Sequence, residues 1–178
     1  LLALLELALR WAVDPSARVS PADAAALLVS PIGGADAVQL RRLRRHLRRQ
    51  ALDGELDVGA ATSDELLALL LGDPARAQLA TDGLAEGEPV RRISRAVAAG
   101  ARAAARRDDG TGWAAGVSAE TVLWEIWSAL GLSGPWRAEA VRLPRRRAGS
   151  SGAATSARAG RADRDLDAVL GLFDAAAR

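Results

Sequence analysis

Apolar residues along this chain recur at helical rather than alternating spacing, and clusters of Pro, Gly, Ser and Asp divide them into blocks. Leu1 to Val13, "LLALLELALRWAV", is apolar on almost every side, as in a helix buried between other elements, and Asp14-Pro15 stops it. Ser20-Pro21-Ala22-Asp23 sets a capping Ser before a first-turn Pro and an acid, which predicts a short helix to about Val29. Ser30-Pro31 ends that helix, because the residue before Pro avoids the α region. A third helix is expected from Ala35 or Asp36 to about Leu52, with Asp36 at the positive end of its dipole.

Beyond a turn over Asp53 to Ala61, Thr62-Ser63-Asp64-Glu65 has capping-box spacing and opens "ELLALLLGDP", where Gly72 and Pro74 supply the stop. A mobile stretch through "DGLAEGEP" leads to "VRRISRAVAAGARAAARR", with Val90, Ile93 and Val97 along one stripe, and "DDGTG" breaks it. Ser118 caps "AETVLWEIWSALGL", the most core-like helix, whose apolar face is Val122, Leu123, Ile126, Trp127 and Leu130. Residues 141–161 are rich in Arg, Gly, Ser and Ala without periodicity and read as a flexible loop. A last helix, "RDLDAVLGLFDAAAR", presents Leu166, Val169, Leu170 and Phe173. These blocks predict one all-α domain over residues 1–178, of about six to eight helices, in keeping with its length and its 49 % hydrophobic content.

Composition removes several chemistries. All 24 Lys-plus-Arg positions are Arg. Without Lys there is no Walker A phosphate loop and no Schiff base. Cys is absent and His46 is the one His, which excludes thiolate zinc sites, a paired-His zinc site and a Cys nucleophile. A Ser-His-Asp triad would need His46, whose arginine neighbours disfavour an imidazolium, so His46 reads as a partly exposed helix residue. No catalytic residue and no metal or cofactor site is therefore expected in this segment, although carboxylate-only catalysis is compatible with the composition. The opening run is too short to span a bilayer, contains Glu6 and Arg10, and has no preceding basic region; with no Cys, the expectation is a soluble, cytoplasmic protein without a membrane partner. The sequence begins without Met, on an uncapped helix pattern, and so reads as a piece of a longer chain.

Charge is the feature that points to a partner. The formal net charge is only +2, yet "RRLRRHLRR", Arg41 to Arg49, has six arginines and no acid. At 100° per residue Leu40, Leu43 and Leu47 share one face, while Arg41, Arg42, Arg45, Arg48 and Arg49 fan across the other and Arg44 lies at the border. Such a face suits a polyanion. Ahead of it, Gly33 and Gly34 allow two readings: backbone that lets a phosphate approach the amides of a helix N-terminus, or a plain turn before a solvated face whose arginines pair with acids elsewhere. Trp124 and Trp127, three apart on an apolar helix, read as core rather than as bases' stacking partners, whereas Trp113 and Trp136 fall in loops. The cluster Arg142 to Arg147 reads as a solubilising loop that could touch nucleic acid without sequence preference.

Taken in order, "LLALLELALRWAVDPSARVSPADAAALLVSPIGGADAVQLRRLRR", "AETVLWEIWSALGL" and "RADRDLDAVLGLFDAAA" give the chain a resemblance to the 2B subdomain of actinobacterial UvrD/Rep-like superfamily 1 DNA helicases, of the AdnA and AdnB kind. The resemblance runs over nearly the whole chain and rests on the succession of features rather than on one motif. It implies a noncatalytic, regulatory subdomain of an ATP-dependent 3′ to 5′ DNA helicase, or helicase-nuclease, acting in DNA repair or recombination. ATP and Mg would belong to the parent's motor domains. The implied partners are duplex DNA at a single-strand/double-strand junction, the motor domains of the same chain, and a second helicase subunit. The family's duplex contact uses a Gly-Ile-Gly type turn, where this chain has Ile32-Gly33-Gly34. Gly33 and Gly34 carry over as phosphate-contacting backbone; with the arginine face, the expected DNA contacts are Gly33, Gly34, Arg41, Arg42, Arg45 and Arg48, with Arg41, Arg42 and Arg45 the main ones if the turn is out of register. The reading of a different class is a helical module that docks a partner protein and does not bind DNA.

Overall fold

A computed structural model of the chain describes residues 1–178 except 15, 18, 55, 57–60 and 141–149. Among the described residues there are nine α-helices and no strand. They are α1 (Leu2–Val13), α2 (Pro21–Val29), α3 (Ala37–Leu52), α4 (Ser63–Leu71), α5 (Pro74–Ala80), α6 (Glu88–Ala103), α7 (Ala119–Leu130), α8 (Ser133–Ala140) and α9 (Ser150–Ala176), with a single 3-10 turn at Ala85–Gly87.

The helix starts follow their local chemistry. Ser20, Asp36, Thr62, Asp73 and Ser118 each accept a hydrogen bond from a first-turn amide, which satisfies donors that a helix leaves open. At Thr62 the arrangement is reciprocal: the Glu65 amide donates to Thr62 Oγ1 and the Thr62 amide donates to Glu65 at 2.6 Å. That bond from the Thr62 backbone, followed by the Thr62 side chain, holds the Glu65 carboxyl below its ordinary value. A carboxyl depressed in this way stabilises the fold fully above the ordinary glutamate value, about 4.3, and loses the contribution as pH falls through the lower native value. Thr62→Val is expected to lower unfolding free energy by about 1 kcal/mol in urea titrations at neutral pH. Glu65→Gln should flatten the acid limb of stability against pH, whereas an unchanged limb would remove this box from the account.

The core forms around α6. Val90, Ile93 and Val97 are fully buried and the helix packs against α1, α4, α5 and α7. All five residues of the apolar face of α7 are buried, as are Leu40, Leu43 and Leu47 of α3. On α1 the burial is one-sided: Leu4, Leu7, Ala8 and Trp11 face inward, while Leu2 and Val13 are exposed.

Six sequence expectations change besides the helix count, which is nine among the described residues against the expected six to eight. Gly72-Asp73-Pro74 ends α4 but also starts α5, because Asp73 caps and Pro74 takes the first-turn position where no donor is needed. The stretch "DGLAEGEP" is tied down: Arg91 donates to the carbonyls of Thr81 and Leu84 and pairs with Glu88. α6 ends at Ala103 rather than near Arg107, and the chain turns back so that Arg106 and Trp113 bridge around an Asp109 carboxylate that accepts from the Thr111 amide. Residues 150–161 of the expected loop form the start of α9, and 141–149, including the whole Arg142 to Arg147 cluster, lie outside the described residues. Trp136 sits in α8 and meets Trp127 edge-on, whereas Trp124 is 59 % exposed rather than core.

Candidate nucleic-acid interface

α3 lies at the edge of the fold, its leucine face on α4, α2 and the 3-10 turn. Its outer face is left to solvent. Along it run Val38, Arg41, Arg45, Arg48, Arg49 and Leu52, all exposed. Two of the six arginines are neutralised by acids from other elements. Arg44 Nε donates to Asp64 of α4 at 2.6 Å, and Arg42 Nη1 donates to Glu86 of the 3-10 turn at 3.2 Å. The Glu86 carboxyl lies below its ordinary value, first through a backbone hydrogen bond at Glu86 itself and then through Arg42. Among the described residues Arg48 reaches a carbonyl, that of Ala61, at 3.5 Å. Arg41, Arg45 and Arg49 form no ion pair among the described residues. These three sit one helical turn apart, so the unneutralised charge extends over about 12 Å of helix axis.

His46 is half-buried on the flank of the same helix, with Nε2 3.2 Å from the Ala80 carbonyl oxygen. It helps hold α3 to the end of α5. Among the described residues no group of three or more His, Asp and Glu is placed to hold a metal ion.

The glycine turn has a different character from the phosphate cradle expected of it. Gly33 is buried against the end of α2, and a Cβ there would overlap the carbonyl oxygens of Leu27 and Leu28. Gly34 has φ +68°, the left-handed region that favours glycine. The amides are spent inside the chain: Gly33 N–H donates to Ser30 Oγ, Gly34 N–H to the Ser30 carbonyl at 2.7 Å, and Ala35 N–H to the Leu28 carbonyl at 3.0 Å. At the start of α3 the Asp36 carboxylate accepts from Val38 and Gln39, and Gln39 Oε1 accepts from the Asp36 amide. A carboxylate already occupies the positive end of this helix and would repel a phosphate. From α6, Arg92 donates to the Gly33 carbonyl; burial is the main cause that lowers its pKa, and its Nε has no partner among the described residues. The turn is a splice between α2, α3 and α6.

Of the six residues expected to contact DNA, Arg41 and Arg45 are therefore exposed and without an ion pair among the described residues, Arg48 is exposed with one weak carbonyl contact, and Arg42 is held by Glu86. Gly33 and Gly34 stand apart, with their amides turned to the protein. Arg49 completes the free row and was not among the expected contacts; the i, i+4, i+8 spacing of Arg41, Arg45 and Arg49 is the signal for it. No helix among the described residues is long and apolar enough to cross a membrane. No protein-family model, curated protein or solved structure matches this chain.

Proposed function

We propose that the protein binds duplex DNA through the phosphate backbone along the outer face of α3, without catalysis of its own. The observation that carries this reading is the row Arg41, Arg45, Arg49, which forms no ion pair among the described residues, on a helix without an acid between its ends. Contacts of guanidinium to phosphate position a protein on the duplex and carry no sequence information. An exposed face without an aromatic favours backbone contact over stacking on single-stranded bases.

Within this reading the chain acts as the regulatory, DNA-gripping part of an ATP-dependent 3′ to 5′ DNA helicase of the cytoplasm, with ATP and Mg handled by motor domains outside it. The order of sequence features supports that parentage.

Fluorescence anisotropy of a labelled hairpin duplex with a 3′ tail tests the binding step. The expected Kd is ~10⁻⁴ to 10⁻⁶ M at physiological salt, equal for unrelated sequences. No binding at low salt would reject the proposal and turn the arginine row towards an acidic protein surface.

A further inference from the structure

Apart from α3, a groove of ≈ 680 Å³ opens between the end of α6, residues 115–117 and the start of α7, with Phe173 of α9 at its edge. Its wall carries Trp124, Glu120 and Glu125 of α7. The Trp124 indole is 59 % exposed, and its ring contact is edge-on with Phe173 at 6.2 Å. A large aromatic surface left in water beside a concave wall is characteristic of an anchor position in a binding site. Trp124 stands off the buried stripe of α7, so the core does not require an indole there.

Among the described residues the carboxylates of the groove outnumber its one cation, Arg102. Glu120 and Glu125 form no ion pair among the described residues, and Arg102 on the facing wall pairs with neither. Two carboxylates next to an exposed indole complement a cation, which gains from the ring quadrupole and from the acids together. A phosphate or an acidic segment would meet repulsion. The groove is open on one side, as a surface that takes an extended chain must be.

We propose that this groove docks a partner polypeptide that presents an arginine or lysine, its cation seated against Trp124 and beside Glu120 and Glu125. The site is separate from the α3 row and opposite to it in charge, so the protein has one face for a polyanion and another for a basic partner segment.

The test follows the indole ¹H–¹⁵N signal of Trp124, assigned by its loss in Trp124→Phe, during titration of the whole chain with a short end-blocked peptide alternating Ala and Arg. Its glutamate and citrulline counterparts serve as controls. The expected result is a saturable shift with the arginine peptide alone, weakened by ~fivefold or more in Glu120→Gln/Glu125→Gln, since each partly exposed pair contributes modestly. Both glutamates are exposed, and a retained circular dichroism spectrum confirms that the variant is folded. Silence of Trp124, an equal shift with the citrulline or glutamate peptide, or indifference to the double Gln variant would each overturn the proposal. So would a Trp124 shift produced by duplex DNA, which would assign the groove to nucleic acid.

Discussion

Gly33→Ala is expected to lower the free energy of unfolding by about 3 kcal/mol, the sum of forced overpacking and lost hydrogen bonds. The added Cβ meets two backbone carbonyl oxygens at the end of α2, Leu27 and Leu28, which have no flexible end that could yield. To make room, the turn must lift away. Doing so strains the Ala35 to Leu28 and Gly34 to Ser30 hydrogen bonds and the Arg92 donation to the Gly33 carbonyl, which together join α2, α3 and α6. Gly34→Ala is the informative contrast. Its nearest neighbour would be Arg92 Nη2 at 3.4 Å, so the cost comes from the left-handed backbone, about 1 kcal/mol. Urea unfolding followed by circular dichroism separates the two. The pair also decides what the turn is for: the internal bonding predicts that folded Gly34→Ala keeps wild-type affinity for duplex DNA, whereas a phosphate cradle at this turn would lose it without a matching loss of stability. Equal, small effects of both substitutions would refute the close packing of Gly33.

The contrast between these glycines shows where sequence reading reaches its limit. Capping is local chemistry, and Ser20, Thr62 and Ser118 could be read directly because each cap sits within a few residues of the amides that it serves. The buried stripes of α3, α6 and α7 were equally legible, since their periodicity records which face meets the core. Periodicity reports burial rather than helicity, however, and residues 150–161 are helical with almost no apolar stripe to announce it. α8 was hidden differently: Gly134-Pro135 looks like a turn, yet Pro135 lies in a first turn that needs no donor from it. At the candidate site the arginine face was legible, but its division was not. Which arginines stay free depends on Asp64, twenty residues from Arg44, and on Glu86, forty-four from Arg42. The Gly33 carbonyl is taken by Arg92, fifty-nine residues away. Such pairings are set by tertiary packing, and no local pattern encodes them.

Arg41→Ala/Arg45→Ala/Arg49→Ala is expected to abolish the salt dependence of DNA binding together with most of the affinity. If each arginine neutralises one phosphate, log K against log salt has a slope near −2.7 for the wild type, which is roughly a 40-fold loss between 50 and 200 mM salt. The triple variant should give a nearly flat line. Alanine is a good helix former and all three side chains are exposed, so α3 and the circular dichroism spectrum should persist. Arg42→Ala/Arg44→Ala supplies a matched control on the same helix. Those arginines already face Glu86 and Asp64, and their removal leaves uncompensated acids nearby, which lowers affinity through the local field but should keep the wild-type slope. The two variants thus remove charge from one helix in geometrically distinct ways. A slope that flattens in the control and survives in the triple variant would place the phosphate contacts on the inner flank of α3 and reject the outer row. If both retain the slope, the binding face lies on another element. Loss confined to the triple variant would show that the acids of α4 and the 3-10 turn select the contacts, by neutralising the flank and leaving Arg41, Arg45 and Arg49 to the duplex.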